Sequence, residues 1–421
     1  MEEHQQARII VETLHRAGFL AYYAGGWVRD FLLNHPSDDI DIATNAPPET
    51  VQALFSHTVP IGIAFGIILV IQEGHTYEVA TFRQDFDYQD GRRPARIQFS
   101  TAAEDAKRRD FTINGLFYDP VREEILDYIN GREDIRAGII RAIGNPHERI
   151  KEDRLRMIRG IRLACRFGFQ IEKKTEDAIR AHAMELFPAV AIERVVQELA
   201  KGHAFGNLQK MLLMLHEFGL LGSIFPEIEK ISYEEIEHRI EPISRYPHST
   251  PLIAFLLALF LNNTLESQLD LCKKLKIANT DQQFITFLFH TRKLIDDERK
   301  RIRAIENVEW AYLYAHHFCP ISLQIIAAHL DKAHEKFFMQ EHAERRDSLR
   351  PAIDRIHRHA PVVTSAELKQ AGIQPGKQMG ALLKEAERIA FNEHIYEPAR
   401  IIEHLRQTPF WPLGDVKHLG I

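Results

Sequence analysis

Ser37-Asp38-Asp39-Ile40-Asp41-Ile42 is the segment of this chain best suited to chemistry. In an extended strand, residues two apart point to one side. Ile40 and Ile42 then face a core, while Asp39 and Asp41 stand together on the other face. Two carboxylates that close repel unless a cation sits between them. Hard oxygen donors of this kind suit Mg²⁺, which keeps waters and binds through one or two protein carboxylates and substrate phosphates. Two such ions could lower the pKa of an attacking hydroxyl and stabilise a departing pyrophosphate. The same alternation also describes a solvated edge strand.

Upstream lies Gly25-Gly26-Trp27-Val28-Arg29-Asp30. A glycine pair between a strand and a helix lets backbone N–H groups approach a triphosphate, with the helix N-terminus adding a favourable field. Arg29 would supply charge-assisted contacts. A tight turn explains a Gly-Gly pair equally simply. Glu78, flanked by Val79 and Thr81, is either a third acid beside the aspartates or a cross-strand surface residue.

These residues need a scaffold, and hydrophobic patterning outlines one. Leu20-Ala21-Tyr22-Tyr23, Ile40-Asp41-Ile42, Ile67 to Ile71, Thr76 to Thr81, Ile97-Gln98-Phe99 and Ile125 to Tyr128 read as strands, the third and fourth forming a hairpin around Gly74. Helical patterns cover Glu2 to Ala17, Val28 to Leu33 and Pro48 to Phe55, where the proline suits a first turn. After about residue 145 strand signals almost vanish, and amphipathic helices follow, with Pro188, Pro226, Pro251, Pro320, Pro351 and Pro375 as plausible boundaries. A mixed α/β head followed by an all-helical body is therefore expected.

With 421 residues, 45% of them hydrophobic and 27% charged, the chain is globular and long enough for several domains. No apolar run reaches the ~18 residues of a membrane span. The polar, acidic start Met1-Glu2-Glu3 shows no signal peptide. Cys165, Cys272 and Cys319 lie far apart, which argues against a zinc site or disulfide framework and for a cytoplasmic setting. The net charge is −6, so a nucleic-acid site must concentrate its basic residues locally. They do concentrate between Arg141 and Arg166, where eight basic residues face three acidic ones.

Taken together, the chain resembles the class II tRNA nucleotidyltransferases (CCA-adding enzymes) and bacterial poly(A) polymerases, within the polymerase-β-like nucleotidyltransferase superfamily. The resemblance runs in order through Gly25-Gly26-Trp27-Val28-Arg29-Asp30, Asp39-Ile40-Asp41-Ile42-Ala43-Thr44, Glu78-Val79-Ala80-Thr81-Phe82-Arg83, Asp90-Gly91-Arg92-Arg93-Pro94, Arg108-Arg109-Asp110-Phe111-Thr112-Ile113-Asn114 and Glu152-Asp153-Arg154-Leu155-Arg156 to Arg162. It covers roughly residues 20 to 205. It implies an α/β nucleotidyltransferase head over 1–140, a helical neck over 141–205, a body over 206–340 and a tRNA-holding tail over 341–421. It implies Mg²⁺ dependence and addition of CCA to tRNA from CTP and ATP, with no membrane and no obligate protein partner. Asp39 and Asp41 take the place of metal ligands, with Glu78 beside them as a catalytic acid. Gly25, Gly26 and Arg29 stand at the triphosphate, Arg108 and Arg109 at the nucleotide and its sugar, Asp153 and Arg156 at the base, and Arg159 and Arg162 close by. Two departures are Gly115, where the family usually has Ala, and Phe65-Gly66, where many members have His-Gly.

The base-reading role has a physical basis. Cytosine and adenine each present an amino donor beside an unprotonated ring nitrogen; Asp accepts from the first and Arg donates to the second. Uracil and guanine reverse that pattern and would leave buried groups unpaired, at roughly 1–3 kcal/mol each. Glu152 to Arg166 reads as one helix, with Asp153, Arg156, Arg159 and Arg162 on one ridge and Leu155, Ile158, Ile161 and Cys165 on another. An ordinary charged helix would show the same spacing. Asp85 to Lys107 reads as a polar loop, which in the family switches addition from C to A and otherwise serves as a passive connection. An A-adding enzyme and a poly(A) polymerase are the alternatives within the class. No His-Asp dipeptide occurs, so a fused HD phosphohydrolase domain is not supported. His316-His317 reads as packing or surface. Arg299-Lys300-Arg301-Ile302-Arg303 and Arg345-Arg346 read as RNA-backbone contacts or solvated helix faces.

Overall fold

A computed structural model describes residues 2–35, 37–88, 94–261 and 264–412. Residues 1–238 and 239–421 form two units. The first begins with helix α1 (Glu2–Arg16), strand β1 (Ala21–Ala24), α2 (Gly26–Leu32), β2 (Asp41–Thr44) and α3 (Pro48–Leu54). It continues with β3 (Thr58–Gly62), β4 (Ile67–Gln72), β5 (His75–Thr81), β6 (Arg83–Tyr88), β7 (Pro94–Phe99) and α4 (Ala102–Lys107). β8 (Phe117–Asp119), β9 (Glu124–Leu126) and α5 (Gly131–Ala137) complete the head.

Seven strands pair in the order β3-β4-β5-β2-β1-β8-β9. β4 and β5 form the expected hairpin, and β5 then lies parallel to β2, with Ile42 opposite Val79. Alternation assigns the two faces. Tyr23, Ile42 and Val79 pack with Ala7, Ile10, Val11 and Leu14 of α1 in one core. Tyr22, Ala24, Ala43 and Phe117 pack with Phe82 and with Ala102 and Ala106 of α4 in a second. Ala24 pairs with Asp41, so Asp41 belongs to the α4 face, beyond the apolar cover.

Two sequence expectations need correction. Asp85 to Lys107 is not a plain loop: β6 and β7 pair as an antiparallel ribbon, from Arg83 opposite Phe99 to Tyr88 opposite Pro94, and α4 follows. Thr101 caps α4 by accepting from the Glu104 N–H. Asp90 to Arg93 of the quoted motif lie outside the described residues. The second correction concerns the neck. Its helix is interrupted: α6 (Pro146–Glu152) ends at Asp153, whose backbone is extended, and α7 (Leu155–Phe167) restarts two residues on. The Asp153 carboxylate accepts from the Leu155 N–H at 3.0 Å, satisfying one of the donors that a helix start leaves open. Leu155, Ile158, Ile161 and Cys165 are buried as predicted.

α7 packs on the head through Phe111. A Cβ at Gly160 would sit 2.9 Å from the Phe111 ring, so only glycine permits this approach. α8 (Lys173–His182), α9 (Ile192–Ala204) and α10 (Leu208–Glu217) extend the helical part. The two departures at Gly115 and Phe65 are locally accommodated. At Gly115 the space a Cβ would take is filled by Ile129, whose Cδ1 would lie 2.2 Å away. The Phe65 carbonyl accepts from Arg83, whose guanidinium also lies over the Phe65 ring.

The second unit is helical. One core gathers Trp310, Tyr314, Leu323 and Phe338; another gathers Val363, Leu368, Leu382, Ile389, Ile401 and Leu405. Pro320 and Pro351 each sit in a first helical turn. His316 stacks on Phe287 at 4.1 Å, a packing role. Arg345 lies 4.2 Å from the Trp310 ring and pairs with Glu298 and Glu341, and Arg303 pairs with Glu309. No described helix is long and apolar enough to cross a membrane.

Candidate active site

The acidic pair sits where β2 emerges from the sheet. Ile40 and Ile42 are buried, while Asp39 and Asp41 face outward together. Parallel pairing of β2 with β5 brings Glu78 alongside Asp41. Asp41 opens to the cleft yet is ringed by protein. That burial, and then the charges of Asp39 and Glu78, raise its carboxyl to about 6, with Arg109 opposing. Among the described residues neither Asp39 nor Asp41 has an ion-pair partner within salt-bridge distance, and no three His, Cys, Asp or Glu side chains converge on one point. Two uncompensated hard-oxygen donors fit a divalent ion that takes its remaining ligands from water and phosphate.

The glycine turn lies beside them. Gly25 precedes α2 with φ +69°, and a Cβ there would meet the Arg109 guanidinium at 2.7 Å. Glycine is thus required both by the backbone and by the arginine. Arg29 is buried: it donates to Asp30 from Nε at 2.9 Å and to Asn114 from Nη1. Its first task is to lock α2 onto the Asn114 segment. Arg108 and Arg109 diverge from one buried carboxylate, Asp105, which accepts from Arg108 Nε at 2.9 Å and from Arg109 Nε at 3.2 Å. Burial opposes ionisation of Asp105, but Arg109 and Arg108 hold its carboxyl below the ordinary range. Arg108 also reaches Asp85 on β6.

Across from the head, α6 and α7 present the other predicted residues. Asp153 takes a bidentate pair from Arg194 on α9, at 3.2 and 2.8 Å. Arg156 donates through Nη1 to Glu152 at 2.6 Å and to the Arg149 carbonyl at 2.7 Å. Arg159 binds Asp110 at 2.9 Å through Nε and 2.7 Å through Nη2. Asp110 also accepts from the Phe111 N–H and from Asn114. Against the cost of burial, Arg159 and Asn114 hold its carboxyl far below the usual carboxylate range. Arg162, 7% exposed, is held at 2.6 Å by Glu198, itself 2% exposed.

Arg194, Glu198, Asp105 and Asp30 are the residues that sequence reasoning missed. Each orients an arginine or an aspartate of the predicted set. A signal existed for Glu198: it interrupts the buried stripe Val195, Leu199, Gly202 of α9, and a carboxylate in such a stripe requires a cationic partner.

The structure brings Gly25, Gly26, Arg29, Asp39, Asp41, Arg108, Arg109, Asp153, Arg156, Arg159 and Arg162 into one cleft of about 740 Å³. Arg194, Arg166, Lys201 and Phe205 also line it. Glu78 adjoins Asp41 but does not line the cleft. An anionic substrate would find nine cationic side chains there against six acidic ones, two of which are the unpaired aspartates.

Known proteins resemble this chain chiefly over the part that builds the cleft. A family model described as the poly A polymerase head domain matches residues 21–141, and one described as the probable RNA and SrmB-binding site of polymerase A matches 168–231. The CCA-adding enzyme of Enterococcus faecalis is 47% identical over 200 residues, covering 47% of this chain and 49% of that protein. That of Bacillus cytotoxicus is 46% identical over 202 residues, covering 48% and 50%. The chain thus spans about half the length of the curated relatives it matches. A Bacillus stearothermophilus CCA-adding enzyme solved with CTP superposes over 97% of this chain and 98% of its own, at 27% identity and a TM-score of 0.76. A Thermotoga maritima CCA-adding enzyme solved with tRNA shares the fold, with a TM-score of 0.66 at 19% identity. Residues 21–141 thus carry a poly A polymerase head domain, residues 168–231 match its RNA-binding-site region, and over about half its length the chain is similar to CCA-adding enzymes.

Proposed function

We propose that the protein adds CCA to the 3′ end of tRNA from CTP and ATP, without a nucleic-acid template. The observation that carries this reading is the single cleft lined on one side by Asp39 and Asp41 and on the other by Asp153 and Arg156. The 3′-hydroxyl of the RNA gives up its proton to water, its oxygen bonds to the α-phosphorus, the bond from that phosphorus to its bridging oxygen breaks, and pyrophosphate leaves. Mg²⁺, held by Asp39 and Asp41, would supply Lewis acidity at the hydroxyl and at the departing phosphates. Gly25 and Gly26 line the cleft where the triphosphate would lie, the missing Cβ of Gly25 admitting Arg109, and Arg108 and Arg109, fixed by Asp105, face its charge and the sugar. Glu78 belongs beside the acidic pair, raising the charge density that a cation would neutralise.

Base choice falls to Asp153 and Arg156. Arg194 bonds both oxygens of the Asp153 carboxylate and the Leu155 N–H also takes Oδ1, which fixes the group and leaves a lone pair of Oδ2 for an amino donor, while Glu152 and the Arg149 carbonyl take Arg156 Nη1 and leave its Nε and Nη2 to donate. Arg159 and Arg162 flank them. Free, buried thiols at Cys165, Cys272 and Cys319 support a cytoplasmic protein. Incubation with tRNA lacking its last three nucleotides, given CTP alone, ATP alone or both, tests the reading. It expects two additions with CTP alone and three with both. A single A, a long A tail or no product would each refute it.

A further inference from the structure

Phe205, at the end of α9, closes a column of alternating rings and guanidinium groups. The Arg166 guanidinium lies 3.9 Å from the Phe205 ring centre and 4.7 Å from that of Phe167. Arg29 lies 4.9 Å from the Phe167 ring on its own account. Asp30 ties the two arginines together, accepting from Arg29 at 2.9 Å and from Arg166 at 3.1 Å. Three of these layers are fixed by charge pairing and burial. The outermost, Phe205, lines the cleft and remains 45% exposed. One face of the ring is covered by Arg166, and the ring's remaining surface opens into the cationic cleft, where a flat π-face can take a base.

We infer that Phe205 is a stacking platform for a nucleobase at the 3′ end of the acceptor RNA. Aromatic faces bind bases of any identity, as a site must when its primer end changes after each addition. Arg166 beneath the ring polarises it and prevents it from turning away. Lys201, one turn earlier on α9 and lining the same cleft, supplies a cation for the adjoining phosphate. The base of the incoming nucleotide already has its partners in Asp153 and Arg156, so the platform falls to the RNA. This inference rests on the proposed nucleotidyl transfer for its substrate, but its test does not require turnover.

The experiment measures equilibrium binding of the full-length protein to an RNA hairpin with a single-stranded 3′ end. The RNA is intact or carries an abasic 3′-terminal residue. Wild type and Phe205→Ala are compared, with Phe205→Trp as the conservative variant. Phe205→Ala is expected to weaken binding of the intact RNA about tenfold. The abasic RNA should bind wild type equally weakly, with no further loss in Phe205→Ala, while Phe205→Trp restores affinity. Unchanged affinity in Phe205→Ala overturns the inference, as does a loss that adds to that of the abasic RNA. Where turnover is measured, a raised KM for CTP with an unchanged KM for RNA would assign the ring to the nucleotide instead and overturn it equally. Wild type that binds the RNA in this pattern but adds nothing would refute the proposed activity and leave the platform standing.

Discussion

Glu198 offers the sharpest test of how the cleft is held together. Its carboxylate, 2% exposed, sits 2.6 Å from Arg162 Nε, 3.9 Å from Arg159 and 3.6 Å from Lys201. Glu198→Gln keeps the shape and removes the charge. Arg162, 7% exposed, then keeps a buried guanidinium without its counter-charge. Removing one partner of a buried pair costs about 3–5 kcal/mol, because the surviving charge has lost its water and gained nothing in return. At about 2–4 °C per kcal/mol for a unit of this size, the melting transition of the first unit should fall by about 6–20 °C. Thermal unfolding followed by circular dichroism measures it. A control separates lost pairing from lost packing: Glu198→Met combined with Arg162→Met removes both charges and should recover most of the stability. A fall of less than about 2 °C for Glu198→Gln would mean that the pair is too well hydrated to matter. The view of α9 as the support of the arginine ridge would then be refuted.

Further outcomes follow from the same geometry. Asp153→Ala should let UTP and GTP compete with CTP and ATP, read as misincorporation in the truncated-tRNA assay; retained preference would remove Asp153 from base choice. Asp41, raised to about 6, still holds its proton in the folded state at pH values where an unfolded aspartate near 3.8 has lost it. The metal-free protein should therefore lose stability as pH rises from about 4 to 6, and Mg²⁺ should raise the melting temperature at pH 7.5 but little at pH 5. An Mg²⁺ shift independent of pH, or one kept by Asp41→Asn, would contradict the metal assignment. Gly115→Ala should destabilise by about 1–3 kcal/mol by displacing Ile129, and Ile129→Val should restore part of that loss in urea unfolding.

Chain periodicity alone determined much of the head. Alternation at residues 39–42 places two aspartates opposite two buried isoleucines, because the side-chain period of a strand is two whatever surrounds it. The β4–β5 hairpin and α1, α2 and α3 follow from equally local rules, as do the buried residues of α7. Tertiary structure decided the rest. Parallel pairing of β5 with β2, which sets Glu78 beside Asp41, joins segments far apart in sequence, and no local pattern encodes which strand is the neighbour. The i, i+3 spacing from Asp153 to Arg162 implied one helix, yet Asp153 leaves the helix, accepts from the Leu155 N–H at the start of α7 and receives Arg194 from α9. The arginines follow the same division: their presence is plain in the sequence, but their aim is set by Asp30, Asp105, Asp110 and Glu198. A flexible guanidinium points wherever a buried carboxylate holds it, and only the folded chain determines where that carboxylate lies.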